Sequence, residues 1–154
     1  MFAGSFDPVT NGHVRVVKQA KAIYDNVIVA LGKNENKQYT FDKFTRLKML
    51  EAAFSGIEGV AVTDFDGLLV DFLKSKRVTD NVRGIRNDED MAYEEKMYDY
   101  NKKLYPEIKN VYLHAEGDFC TISSTKIREM LKNGEDVSAY LPEEVARIAT
   151  AYLK

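Results

Sequence analysis

The sequence predicts an α/β fold, a five-stranded parallel sheet with helices on both faces. Three observations carry this. Short β-type apolar runs alternate with stretches of helical periodicity, the pattern of βαβ units. One run, Val27-Ile28-Val29-Ala30-Leu31, is apolar at every position, as a strand buried on both faces requires. A turn of small residues, Gly4-Ser5-Phe6-Asp7-Pro8-Val9-Thr10-Asn11-Gly12-His13, joins the first strand directly to an amphipathic helix. Such a sheet is Rossmann-like, and its ligands sit outside the C-terminal strand ends at the topological switch point. The loops after strands one, two, four and five are therefore expected to carry the site.

The first strand is Met1-Phe2-Ala3, expected to be central although only three residues precede Gly4. Val14, Val17, Ala20 and Tyr24 share one face of the helix that follows, widened by Val16 and Ile23. Gly32 to Thr40 is a polar, basic loop. A helix is expected over Phe41 to Phe54, with Phe44, Leu47, Leu50 and Phe54 on one side. Val60-Ala61-Val62 is the third strand, Leu68 to Lys76 a helix, and Asn81-Val82-Arg83 the fourth strand. Asn87 or Asp88 caps a long helix that runs to Tyr105 before Pro106. Val111-Tyr112-Leu113 is the fifth strand. Ser123 caps a helix that Gly134 stops, and Pro142 opens the last one.

The 154 residues fit one domain, 1–154, with no internal repeat. A formal net charge of −2 argues against unspecific nucleic-acid binding, which needs a basic excess, but leaves room for a locally basic pocket. Cys120 is the single cysteine, so no internal disulfide forms; a small side chain in a loop near the site is its expected role, in a reducing cytoplasm. No charged-then-apolar leader and no apolar run of spanning length is seen, so neither export nor a membrane is expected.

Three constellations carry chemistry. In the first loop, Ser5 offers a hydroxyl and an N–H, and His13 sits in the first turn of a helix whose N-terminus attracts anions. Asp7 reads as structural, because a carboxylate beside a bound phosphate would repel it. In the second, Arg83 and Arg86 flank Gly84-Ile85 where the chain leaves strand four, and planar guanidinium forks suit phosphate oxygens. In the third, Ser123, Ser124 and Thr125 open a helix; one hydroxyl suffices as the cap, leaving the others for ligand, while Lys126 and Arg128 read as solvated. Lys33, Lys37 and Lys43 are equal candidates around the basic loop. Tyr93, Glu94 and Glu95 read as a solvated face of the long helix. The dinucleotide and P-loop glycine fingerprints are both absent.

With the Tyr93-Glu94, Asn101 and Tyr105-Pro106-Glu107 stretch in order, these segments resemble the bacterial phosphopantetheine adenylyltransferases over nearly the whole chain. The first and third are shared across the nucleotidylyltransferase superfamily; the arginine pair and the following helix narrow the match. Thr10 separates it from relatives that carry histidine there, including nicotinate-nucleotide adenylyltransferases. The resemblance implies transfer of AMP from ATP to 4′-phosphopantetheine, with Mg²⁺ held mainly by the ATP phosphates, in a homohexamer. It implies that Ser5, Lys37, Leu69 and Arg83 contact the pantetheine phosphate. It implies ATP contacts from Ser5, Phe6, His13, Gly84, Ile85, Arg86 and Glu94, and from Phe119, Cys120, Thr121, Ile122, Ser123, Ser124 and Thr125. His13 resembles the transition-state stabiliser, assisted by Lys37 and Arg86. Ser5 stands where some members have threonine, and Gly67 where some have aspartate. Alternatives are another small-molecule nucleotidylyltransferase (nicotinate nucleotide, glycerol phosphate or flavin acceptor), a non-catalytic nucleotide-binding module, and a flavodoxin-like electron carrier, which nothing in the chain supports.

Overall fold

The computed structural model describes residues 1–153. Strands β1 (Phe2–Gly4), β2 (Val27–Gly32), β3 (Val60–Phe65), β4 (Asp80–Ile85) and β5 (Lys109–His114) form one parallel sheet in the order β3-β2-β1-β4-β5. The helices are α1 (Asn11–Lys21), α2 (Lys43–Phe54), α3 (Leu69–Ser75), α4 (Asp88–Leu104), α5 (Ser124–Lys132) and α6 (Glu143–Tyr152). A short 3₁₀ helix, Gly117–Thr121, which the sequence does not announce, joins β5 to α5 and carries Cys120.

The chain runs outward from β1 through β2 to β3, then crosses back to β4 and β5. β1 and β4 are therefore neighbours whose connections leave in opposite directions, and the crevice between them is the switch point. Three residues suffice for a central strand because both of its edges are paired. Phe2 lies opposite Val29 and Val82, and the Met1 carbonyl also accepts a bond from the Val82 N–H (2.7 Å). The strand ends at Gly4 because the chain then turns sharply, with Phe6 at φ +41° and a cis Asp7–Pro8 bond.

Side chains alternate across the sheet into two cores. Phe2, Val27, Val29, Leu31 and Val82 pack under α1, α2 and α6 against Val17, Met49, Leu50, Val145 and Ala149. Met1, Ala3 and Ala30 face the other way, onto Val70 and Leu73 of α3 and Tyr105 and Ile108 after α4. Gly84 lets α1 lie close on β4, since a Cβ there would meet Val16 Cγ2 at 2.9 Å.

Helix starts follow from caps. Asn87, not Asp88, caps α4 by accepting from the Asp90 N–H (2.8 Å), and three acids in its first turn suit the dipole. Ser123 caps α5 through the Lys126 N–H (3.1 Å), and Gly134 past its end adopts φ +71°. Two expected faces are corrected. The second helix begins at Lys43, capped by Asp42, so Phe41 is buried ahead of it; Phe44 is 78% exposed, and Arg46 and Met49 take its place inside. Ile23 is 57% exposed because α1 stops at Lys21, before the face it was expected to widen.

Candidate active site

A cleft of about 610 Å³ opens at the switch point, over the C-terminal ends of β1 and β4 and between the starts of α1 and α5. Of the residues expected at the site, it brings together Ser5, Phe6, His13, Lys37, Arg83, Gly84, Ile85, Arg86, Glu94, Phe119, Ile122, Ser123, Ser124 and Thr125. Leu69, Cys120 and Thr121 do not line it. Leu69 packs at the edge of the α3 core, and the Cys120 thiol turns to the Ala115 carbonyl (3.3 Å).

His13 is held by the α1 cap. The Thr10 hydroxyl accepts from the His13 N–H (3.4 Å), and the Thr10 N–H donates to His13 Nδ1 (3.0 Å), a reciprocal capping box. Nδ1 must therefore keep its lone pair, which puts the neutral ring's proton on Nε2. The ring packs edge-on to Phe6 (centroids 5.1 Å, 77°) and near Phe2 (6.2 Å). Burial, with the Arg86 and Arg83 charges added, lowers its pKa to about 4. His13 is thus a fixed, uncharged N–H donor at neutral pH and not a base in need of a proton.

This shift predicts a pH dependence of stability in the ligand-free protein. The unfolded histidine titrates near 6.5, so between about 6.5 and about 4 the unfolded chain binds a proton that the native state does not. The His13 contribution is complete above that window and is lost as pH falls through it. Thermal melts of the wild type and His13→Asn across pH 4 to 7 should therefore converge toward the acid end; a constant gap would contradict it.

The α1 terminus is less open to anions than its sequence suggests. The Asn11 N–H donates to the Tyr140 carbonyl (2.9 Å) and the His13 N–H to Thr10, which leaves Gly12, among the described residues, as the free N–H of the first turn. At α5 all three hydroxyls have protein partners: Ser123 is the cap, Ser124 donates to the Pro8 carbonyl (2.9 Å), and Thr125 accepts from Arg128 Nη2 (3.1 Å). The first-turn N–H groups of Ser124 and Thr125, rather than spare hydroxyls, are then its main donors to a ligand.

Both arginines of the β4 loop are gripped from α4. Arg83 makes a two-pronged pair with Glu94 (2.9 and 2.7 Å) and donates Nη1 to the Ala3 carbonyl (2.8 Å). Arg86 pairs the same way with Asp90 (2.9 and 3.0 Å), holding that carboxyl below the usual range. The expected solvated face at Glu94 is corrected: its side chain is 12% exposed, because it is the counter-ion of Arg83. Arg128 is corrected too. It leaves solvent to donate to the Asp7 carbonyl oxygen (2.8 Å) and line the cleft. Asp7 is structural, as expected, accepting from the N–H groups of Thr40 (2.9 Å) and Phe41 (3.0 Å).

Asp90 and Arg128 escape the sequence reading. The i,i+4 spacing from Arg86 was available for Asp90; for Arg128, only the fold brings it to Asp7. Each cleft acid, Asp7, Asp90 and Glu94, has an arginine partner. Lys37 is then the cleft cation without a carboxylate among the described residues.

A switch-point cleft that offers cations, helix N–H groups and a neutral histidine suits the handling of a nucleoside triphosphate, as in a nucleotidyltransferase. The cytidylyltransferase-like family model matches residues 1–130. Phosphopantetheine adenylyltransferases from Levilactobacillus brevis (38% identity; 100% of this chain, 96% of the relative), Heliobacterium modesticaldum (41%; 99% and 91%) and Phocaeicola vulgatus (42%; 93% and 94%) are similar along their length. A solved structure described as a nicotinate-nucleotide adenylyltransferase from Vibrio parahaemolyticus superposes with a TM-score of 0.71 over 96% of this chain and 95% of its own; at 19% identity it shares the fold. The chain belongs to the phosphopantetheine adenylyltransferases of the cytidylyltransferase-like family.

Proposed function

We propose that the chain transfers the adenylyl group of ATP to the phosphate of 4′-phosphopantetheine, forming dephospho-CoA and pyrophosphate in coenzyme A biosynthesis. The observation that carries this is His13, held as an Nε2–H donor in one cleft with Lys37, Arg83 and Arg86. The relatives' shared name supplies the acceptor.

An oxygen of the acceptor phosphate attacks the α-phosphorus of ATP, and the bond from that phosphorus to the β-bridging oxygen breaks. No proton moves, because a phosphate monoester is already an anionic nucleophile at neutral pH. The protein's work is to hold two polyanions in line and to stabilise charge at the α-phosphate and on the leaving pyrophosphate. His13 Nε2–H and the Gly12 N–H serve the α-phosphate. Arg86 and the Ser124 and Thr125 N–H groups serve the β- and γ-phosphates. Ser5, Lys37 and Arg83 hold the acceptor phosphate, and Glu94 fixes the fork of Arg83.

Mg²⁺ supplies charge neutralisation on the triphosphate. Bound with the triphosphate, it would be held mainly by phosphate oxygens, with Asp7, Asp90 and Glu94 paired to arginines. A pyrophosphate-release assay with ATP or CTP against 4′-phosphopantetheine, nicotinate mononucleotide and glycerol 3-phosphate tests the reading. Turnover is expected with ATP and 4′-phosphopantetheine, and a preference for another pair overturns it.

The protein is proposed to work as a homohexamer in the cytoplasm. No helix among the described residues is long and apolar enough to cross a membrane. Met97, Tyr100 and Leu104 form an exposed stripe along α4, leading away from Tyr93 at the cleft, which supports self-association through that helix. Sedimentation velocity should show a hexamer, and Tyr100→Lys a smaller species; an unchanged hexamer would place the interface elsewhere.

A further inference from the structure

Arg46 is 3% exposed and pairs with no carboxylate among the described residues. A buried charge without a counter-ion is costly, so what it holds matters. From α2 its Nε donates to the Phe41 carbonyl (3.1 Å) and its Nη1 to the Ser5 carbonyl (2.8 Å). Its guanidinium carbon also lies 3.8 Å from the centroid of the Tyr39 ring. Tyr39 in turn closes the loop that bears Lys37. Its hydroxyl accepts from the Asn34 N–H (2.7 Å) and donates to the Asn34 carbonyl (3.3 Å), while the Lys37 N–H reaches the same carbonyl (3.0 Å). One guanidinium thus touches the turn after β1 and the Tyr39 ring that closes the exposed Lys37 loop.

We propose that Arg46 is a positioning residue for the transfer: through the Ser5 carbonyl and the Tyr39 ring it sets Ser5 and Lys37 relative to each other, and so shapes the acceptor-phosphate half of the cleft. This rests on the reading that those two residues face the acceptor. Lysine cannot replace it, because one ammonium cannot donate in a fork to two carbonyls and stack flat on a ring.

The test compares Arg46→Lys, Tyr39→Leu and the double variant with the wild type. Arg46→Lys raises the KM for 4′-phosphopantetheine about tenfold, the scale of one weakened hydrogen bond to the acceptor, and leaves the KM for ATP close to wild type. Tyr39→Leu acts in the same direction, and the double variant falls short of the product of the two, because both remove one coupling. Hydrogen exchange over residues 34–39 speeds up in each variant. Wild-type acceptor KM with unchanged exchange in Arg46→Lys, whatever its melting temperature, overturns the proposal. Should Arg46→Lys not fold, Tyr39→Leu decides by the same two readouts. If the wild type itself does not turn over 4′-phosphopantetheine, the functional reading fails separately; exchange over 34–39 still decides whether Arg46 holds the loop.

Discussion

His13→Ala is expected to lower kcat by about 10²–10³-fold, the usual loss when one preorganised donor to a developing oxyanion is removed, while ATP affinity changes little. The split follows from geometry. The ring is pre-set by the Thr10 N–H on Nδ1 and by the edge of Phe6, so its Nε2–H pays no reorganisation cost when charge builds on the α-phosphate. The groups proposed to hold the β- and γ-phosphates, Arg86 and the Ser124 and Thr125 N–H groups, are untouched by the substitution, so binding should survive. Single-turnover rates and ATP dissociation constants for wild type and His13→Ala check this directly. An unaltered rate, or an equal loss in binding, would remove His13 from the transition state. Thr10→Val should reproduce part of the loss, since it removes the hydroxyl half of the capping box while keeping the N–H bond to Nδ1.

Arg83→Ala is expected to raise the KM for 4′-phosphopantetheine by about 10- to 100-fold, the range of a lost charge-assisted hydrogen bond, with a smaller effect on ATP. It should also lower the melting temperature. Glu94 is 12% exposed and accepts two bonds from Arg83, so truncation leaves a nearly buried carboxylate without its partner. The two effects separate in Arg83→Ala combined with Glu94→Gln. Neutralising the orphaned acid restores much of the stability and none of the acceptor affinity. If ATP rather than the acceptor lost affinity, Arg83 would belong to the other half of the cleft.

The sequence made the helix starts legible because caps act within a turn. Asn87, one of two candidates for its helix, and Ser123 each satisfy an N–H three residues on, so residue type and spacing suffice to find them; Asp42 does the same for α2, whose start the sequence reading sets at Phe41. Phe44 misled because its apolarity fits a core face, yet only the packing of α2 against the sheet and α6 decides which side is covered. Glu94 and Arg128 misled for the opposite reason. Charged residues on helices are solvated by default, and neither shows in its own neighbourhood that a guanidinium or a carbonyl will arrive from another element.

By itself, then, the sequence determined the sheet class, the loops that would hold the site, and His13, Arg83, Arg86 and the Ser123 helix start as its parts. These rest on period, caps and turn residues, which are local. The tertiary structure alone decided how the parts are used. It spent the Asn11 N–H on Tyr140 and left Gly12 free, and it turned the Ser124 hydroxyl onto Pro8. It gave Arg83 the Glu94 carboxylate, and it buried Arg46 between Ser5 and Tyr39. Most of these partners lie far apart along the chain. Their meeting depends on the crossover that sets β1 beside β4, a choice made by the packing of both cores at once and not by any one segment.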